Sequence, residues 1–205
     1  MIKRKILASF RRIRTFLKVA GKSYIQCKGG LHIGACTKLW APHHIIIGEN
    51  VYIGKQVFIE ANCTIGNNVL IANRVGIVGR NDHNFKEIGV PVRFSEWVGS
   101  QKKQSPYLKE EVLIEDDVWI GYGCILLTGV IIGKGSIVAS GSVVTRNIPP
   151  YSVVAGVPAK VIKKRFSEEE IINHEMLIKN RKFIFSEEGF DHFKRVDLLP
   201  TNNLV

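Results

Sequence analysis

Along two long stretches of this chain every sixth residue is aliphatic. The first run holds Ile47, Ile53, Ile59, Ile65, Ile71 and Ile77 in one phase, and the second holds Ile114, Ile120, Leu126, Ile132, Val138 and Val144 in another. Four residues after most of these comes a small or β-branched residue: Val51, Val57, Cys63, Val69 and Val75, then Val118, Cys124, Val130, Ser136 and Ser142. Two positions in six are therefore interior. A period of six fits neither a helix nor an alternating strand of period two. It fits a short strand and a turn repeated three times per coil, which winds the chain into a triangular prism with the aliphatic position pointing inward. Gly48-Glu49-Asn50 and Gly66-Asn67-Asn68 supply corner residues suited to unusual dihedrals. The pattern predicts an all-β solenoid, a parallel β-helix of about fifteen hexads in roughly five coils.

The phase breaks twice. It slips by two residues at Ile45-Ile46-Ile47, beside His43 and His44. Adjacent histidines point to opposite sides of a strand and are read as surface residues. Between Ile77 and Ile114 the phase changes by one residue, so an excursion from about Arg80 to Glu111 must leave the solenoid and return. Irregular segments of that length are usually functional or disordered. This one carries Phe85, Phe94, Trp97 and Tyr107 beside Arg80, Lys86, Arg93, Lys102 and Lys103, a mixture unlike a disordered linker. It is read as a binding loop.

Three parts follow: a basic amphipathic segment over residues 1–26, a β-helix over 27–162 with its insertion at about 80–111, and a C-terminal helix and tail over 163–205. In the first part Ile2, Ile6, Phe10, Ile13 and Leu17 form one apolar helical face. Such a segment suits two roles, peripheral contact with an anionic membrane through residues 1–20 or a cover for the open first coil. In the last part Ser167-Glu168-Glu169-Glu170 has the form of a capping box. The helix it starts carries Ile171, Ile172, Leu177 and Ile178 and would cover the C-terminal end of the prism, with Asp197 to Val205 as a loose tail.

The formal charge is +11, but residues 1–22 alone hold Lys3, Arg4, Lys5, Arg11, Arg12, Arg14, Lys18 and Lys22 with no acidic residue. The basicity is local and gives no reason to expect a nucleic-acid partner. Cys27, Cys36, Cys63 and Cys124 show no Cys-x-x-Cys spacing and are read as buried, reduced thiols. No metal is expected, because His83 stands far from His32, His43 and His44, and a zinc site needs converging ligands. No apolar run reaches the length of a membrane span, and the N-terminus lacks the apolar region of a secretory signal. The expected place is the cytoplasm, with the inner membrane face as the surface the helix would touch.

Three stretches narrow the reading: Glu115-Asp116-Asp117-Val118-Trp119-Ile120-Gly121, Gly141-Ser142-Val143-Val144-Thr145, and Pro149-Pro150-Tyr151 through Gly156-Val157-Pro158-Ala159-Lys160. With the repeat and the looped histidine, they resemble the hexapeptide-repeat acyltransferases, and among them the sugar and xenobiotic O-acetyltransferases. The resemblance implies a left-handed β-helix, an exception to the usual right-handed crossover. It implies a homotrimer with active sites shared between subunits, and direct transfer of an acetyl group from acetyl-CoA to a hydroxyl.

In the resemblance the loop histidine that acts as general base matches His83, in Arg80-Asn81-Asp82-His83-Asn84-Phe85. An imidazole titrates near neutral pH, as a base for an alcohol should. Motif matching makes Ser140, Thr145, Arg146 and Lys160 the contacts to coenzyme A, with Lys163, Lys164 and Arg165 available for its phosphates. Trp119 matches the acceptor side, and Asn84, Arg93 and Trp97 of the loop complete the expected acceptor contacts. The acceptor half matches no known site residue by residue. A sugar hydroxyl, in a surface polysaccharide or lipopolysaccharide that can be lipid-linked, is the expected acceptor. An antibiotic, a soluble sugar or the amine of an amino sugar are alternatives. From other classes, a zinc carbonic anhydrase is disfavoured by the histidine spacing and a non-catalytic scaffold by the coenzyme A motif.

Overall fold

The computed structural model describes residues 2–100, 105–184 and 194–198, with side chains for all of these except 2–5 and 194. Lys102, Lys103 and most of the expected C-terminal tail lie outside the described residues.

The hexads form three parallel sheets that wrap one core. The first face stacks Ile25–Cys27, Ile45–Ile47, Asn62–Ile65, Glu111–Ile114 and Val130–Ile132. The second stacks His32–Ile33, Tyr52–Ile53, Leu70–Ile71, Trp119–Ile120, Ile137–Val138 and Ser152–Gly156, and the third stacks Lys38–Leu39, Phe58–Glu60, Gly76–Val78, Ile125–Leu127 and Val143–Val144. The chain visits the faces in that order on every coil, as a left-handed parallel β-helix.

Register shows why the period holds. Ile47 lies beside Ile65, Ile53 beside Ile71, and Ile59 beside Ile77, so each aliphatic residue stacks on its counterpart in the next coil. All twelve aliphatic residues of the two runs are fully buried, each contributing about 1.5–3 kcal/mol relative to exposure. Asn50, Asn68 and Asp117 turn corners between the first and second faces at positive φ, where their short polar side chains tolerate the left-handed region. Gly121 turns a corner where a Cβ would come within 2.6 Å of the Ser140 amide nitrogen, so the coil above leaves no space for a side chain.

The two phase breaks have structural causes. The first coil pairs with the second at an offset of two extra residues, Ile33 beside Ile53 and Lys38 beside Phe58, and the surplus is taken up at the corner from Trp40 to His44. After Val78 the chain leaves the corner between the third and first faces, and it rejoins with Ile114 beside Ile65. Both irregularities therefore fall on the same edge of the prism.

The ends depart from expectation in instructive ways. Helix α1, Ile2–Val19, crosses the first coil, but with its stripe of large apolar residues outward: Ala8 and Thr15 are buried and Val19 packs on the core, while Phe10, Ile13 and Leu17 are exposed. An open coil end presents unpaired backbone groups, and polar side chains meet them. Arg14 Nε donates to the Ile33 carbonyl at 2.9 Å, the Ile33 amide donates to Thr15 Oγ1 at 3.1 Å, and Lys18 Nζ donates to the Thr37 carbonyl at 2.7 Å.

Helix α2, Glu168–Lys179, begins with the expected capping box of Ser167 and Glu170, but it does not cover the C-terminal end. It lies along the flank, where His174 meets Asp117 at 3.0 Å and Glu175 takes bonds from Lys134 and Tyr151. The antiparallel return of Ala159–Lys164 against Ser152–Gly156 occupies the end of the second face instead. The segment after α2, Arg181–Ile184, pairs with Lys194–Asp197, so the start of the expected tail is a hairpin strand.

Two of the four cysteines correct the sequence reading. Cys63 and Cys124 are interior, and burial pushes both thiols up, whereas Cys27 and Cys36 are exposed because they occupy outward or corner positions of the first coil. Brief iodoacetamide treatment of the native protein is expected to add two labels, rising to four after denaturation, as read by intact mass.

Candidate active site

The excursion folds back along the prism edge toward the first coil, and its core is a short antiparallel contact between His83 and Trp97. The Asn84 amide donates to the Glu96 carbonyl and the Val98 amide to the Asp82 carbonyl, which closes this miniature hairpin. The Trp97 ring stacks on Trp40 with centroids 6.0 Å apart and planes within 8°, and on its other neighbour His83 at 6.4 Å and 23°. Trp40 stands at the two-residue slip. The slip and the insertion thus meet in one aromatic row, Trp40–Trp97–His83.

Polar bonds fix the loop's ends. Asn62, 1% exposed, accepts from the amides of His43 and His44 and donates to the carbonyls of Leu108 and Glu110. Glu110 accepts from Thr128 Oγ1 at 2.9 Å and from Asn81 Nδ2, and the Arg80 amide donates to Thr128 Oγ1. Arg80 also donates through its guanidinium to the Thr145 carbonyl, joining the loop's first residue to the expected coenzyme A edge.

Within this frame His83 is half-buried, and its Nδ1 is buried without a hydrogen-bond partner. A ring nitrogen held that way is shielded from an incoming group, so a proton from an acceptor would be taken at the other ring nitrogen. Asp82 lies close enough for the charge of His83 to act on it, yet burial outweighs that attraction and raises the Asp82 carboxyl, with Glu60 and Glu110 adding to the rise. Asp82 therefore supplies negative charge near the imidazole without a direct bond to its Nδ1.

The raised Asp82 carboxyl fixes a sign. The folded state holds its proton to a higher pH than the unfolded chain, so stability from this group falls as pH rises from the unfolded value through the folded one. Asp82→Asn is expected to raise Tm at neutral pH by no more than about 2–4 °C, the shift about 1 kcal/mol gives a chain this long. The gain should vanish in acid, as followed by thermal melts across pH.

The expected residues divide into groups. His83, Asn84 and Trp97 come together; Asn84 also donates from Nδ2 to Glu96 Oε2 at 3.3 Å. Arg93 lies in the exposed turn Val92–Phe94 at the loop's outer side. Thr145, tied to Arg80, and exposed Arg146 share the prism edge the loop leaves from. Ser140 is exposed at the corner between the second and third faces, and Lys160 is exposed on the return strand beside Ala155. Trp119, 49% exposed, points outward from the second face, whereas the loop leaves from the end of the third. Arg165 is engaged at home, bonding Asp117 Oδ2 at 2.7 Å and the Gly135 carbonyl. Trp40 and Asn62 were not among the expected residues. The slip beside Trp40 was a signal for it, and no sequence signal marked Asn62.

Comparison with known proteins accords with the fold and the repeat. Residues 44–79 and 111–146 match the family described as bacterial transferase hexapeptide (six repeats), and the break between them is the loop. A probable macrolide acetyltransferase of Lysinibacillus sphaericus is 39% identical over 93 residues, 45% of this chain and 49% of that protein. A chloramphenicol acetyltransferase of Morganella morganii is 48% identical over 61 residues, 30% of this chain and 29% of that one. The chain thus spans half or less of the length of these relatives. Among solved structures, a hexapeptide-repeat-containing acetyltransferase from Vibrio cholerae superposes with a TM-score of 0.55 at 21% identity, covering 80% of this chain and 90% of that one, a likeness of fold. The repeat of the bacterial transferase hexapeptide family thus occupies both runs of the solenoid, and the relatives that share part of it are acetyltransferases.

Proposed function

We propose that this protein is an acetyltransferase that moves the acetyl group of acetyl-CoA to a sugar hydroxyl of a surface polysaccharide or lipopolysaccharide, with His83 as general base. The observation that carries the reading is the half-buried His83 ring stacked beside the exposed ring of Trp97. The exposed rim of the indole offers apolar surface to a sugar ring, with the His83 imidazole stacked next to it to receive a hydroxyl proton.

The balanced step is a displacement at the thioester. His83 takes the proton from the acceptor hydroxyl as its oxygen bonds to the acetyl carbonyl carbon. The carbon–sulfur bond then breaks, and the thiolate of coenzyme A takes up the proton that His83 carries. Asp82 stabilises the transient imidazolium by charge.

Coenzyme A would lie along half-buried Thr145 and exposed Ser140, Arg146 and Lys160, with Lys163 and Lys164 near its phosphates. Because Trp119 and the loop project from different faces of one chain, a site using both needs a second copy, which supports the trimer. The likeness to a probable macrolide acetyltransferase and a chloramphenicol acetyltransferase favours one rival, an antibiotic acceptor reached by the same chemistry.

The test is thiol release from acetyl-CoA with panels of oligosaccharides, nucleotide sugars, macrolides and chloramphenicol. Release driven by glycans establishes the first reading, and release driven only by antibiotics establishes the rival. No release with any acceptor, in protein that coenzyme A also fails to protect thermally, overturns both.

A further inference from the structure

We propose that α1 docks the protein on an anionic lipid bilayer, its outward apolar stripe set into the boundary between headgroups and acyl chains. The motive is the helix's inverted attachment. An amphipathic helix on a globular body ordinarily buries its apolar side. Here Ala8 and Thr15 face the body, and Arg14, Lys18 and Lys22 bond the carbonyls of Ile33, Thr37 and Leu39. The opposite side offers Ile6, Phe10, Ile13, Phe16 and Leu17 to the surroundings, each at least half exposed, with Phe10 and Phe16 at 65%. Five large apolar side chains on one helix are a contiguous patch of the kind that marks an interaction surface.

Charge selects the occupant. Residues 1–22 carry eight Lys and Arg and no Asp or Glu, and Arg12 is exposed on the flank of the stripe. A second copy seated on this face would bring two such cationic helices together. An anionic headgroup layer answers both features at once, with apolar insertion along the stripe and attraction at its flanks. Among the described residues no helix is long and apolar enough to cross a membrane, so α1 would lie on the surface. The fold suits this placement. The polar face already satisfies the open coil, so docking requires no rearrangement, and the first coil beneath α1 is the one whose Trp40 stacks on Trp97. Lipid docking stands whether or not the chain transfers acetyl groups.

The experiment is co-sedimentation of the full chain with vesicles of phosphatidylcholine alone and of phosphatidylcholine with about one-third phosphatidylglycerol. Anionic vesicles are expected to bind at least about tenfold more tightly, and binding should fall as salt screens the headgroups. Ile13→Glu with Leu17→Glu alters only exposed positions and should lower the binding about tenfold or more, with the thermal midpoint and the mass by light scattering unchanged. Phe10→Trp provides a second readout, blue-shifted emission on adding anionic vesicles. Wild-type protein that ignores anionic vesicles, or a double variant that binds them as wild type does, overturns the proposal. So does a double variant whose oligomeric mass falls while wild type shows no lipid binding, which would make the stripe an interface between copies.

Discussion

Replacing His83 by alanine is expected to lower acceptor-dependent thiol release about 10²- to 10⁴-fold, the usual contribution of a positioned general base. An alcohol is a poor nucleophile until its proton is taken, and His83 is the imidazole that the loop places against Trp97. Stability should respond in the opposite sense from an ordinary buried polar residue. Truncating a group that makes a bond strands its partner, whereas Nδ1 has none to strand, so the stability of His83→Ala should stay within about 1 kcal/mol of wild type, a shift in melting midpoint of no more than about 2–4 °C. Thermal protection by coenzyme A should survive, because the residues expected to hold it lie on the coils. Release that persists at the wild-type rate would remove His83 from the reaction.

How much of this was legible depended on which groups the chain had to satisfy. The interior was readable because one constraint dominates it: every coil must place an aliphatic residue over the one below, and Ile65 over Ile47 repeats that demand down the prism. The loop was readable as a loss of phase. What sequence could not show is that the slip at Trp40 and the insertion at Arg80 share one edge, because that needs the three-face winding and the loop's backward fold. Asn62 carries no mark that separates it in sequence from Asn67, Asn68 and Asn73. It differs only in what converges on it. The helices misled for a related reason. The stripe of α1 allowed either a lipid surface or the first coil as its partner, and that coil presents unpaired backbone that polar side chains meet; α2 is held by Asp117, Lys134 and Tyr151 while its Ile172 remains 72% exposed.

The second large effect should come from Asn62, which touches no expected substrate. Its Oδ1 accepts the His43 and His44 amides at 2.9 and 3.2 Å, and its Nδ2 reaches the Leu108 and Glu110 carbonyls at 2.8 and 3.3 Å. One side chain thus ties the slipped corner of the first coil to the returning end of the loop. Asn62→Ala removes all four bonds in a buried setting. At about 1–3 kcal/mol per stranded group, with water relieving part of it, the loss should be about 2–4 kcal/mol. That corresponds to a fall in Tm of roughly 5–10 °C for a chain of this size. Asn62→Asp retains an acceptor for the two amides but loses the donor, and it places a carboxylate near Glu110 and Glu111, so it should rescue little. Hydrogen exchange should quicken over residues 105–110 while the amides of the Ile71 and Ile120 layers keep their protection. Because the loop's return end and the His83–Trp97 contact belong to one folded unit, kcat should fall with the loosening even though the residues expected to hold coenzyme A are unchanged. A wild-type melting midpoint in Asn62→Ala would show that the loop is anchored elsewhere, through Glu110 and Thr128.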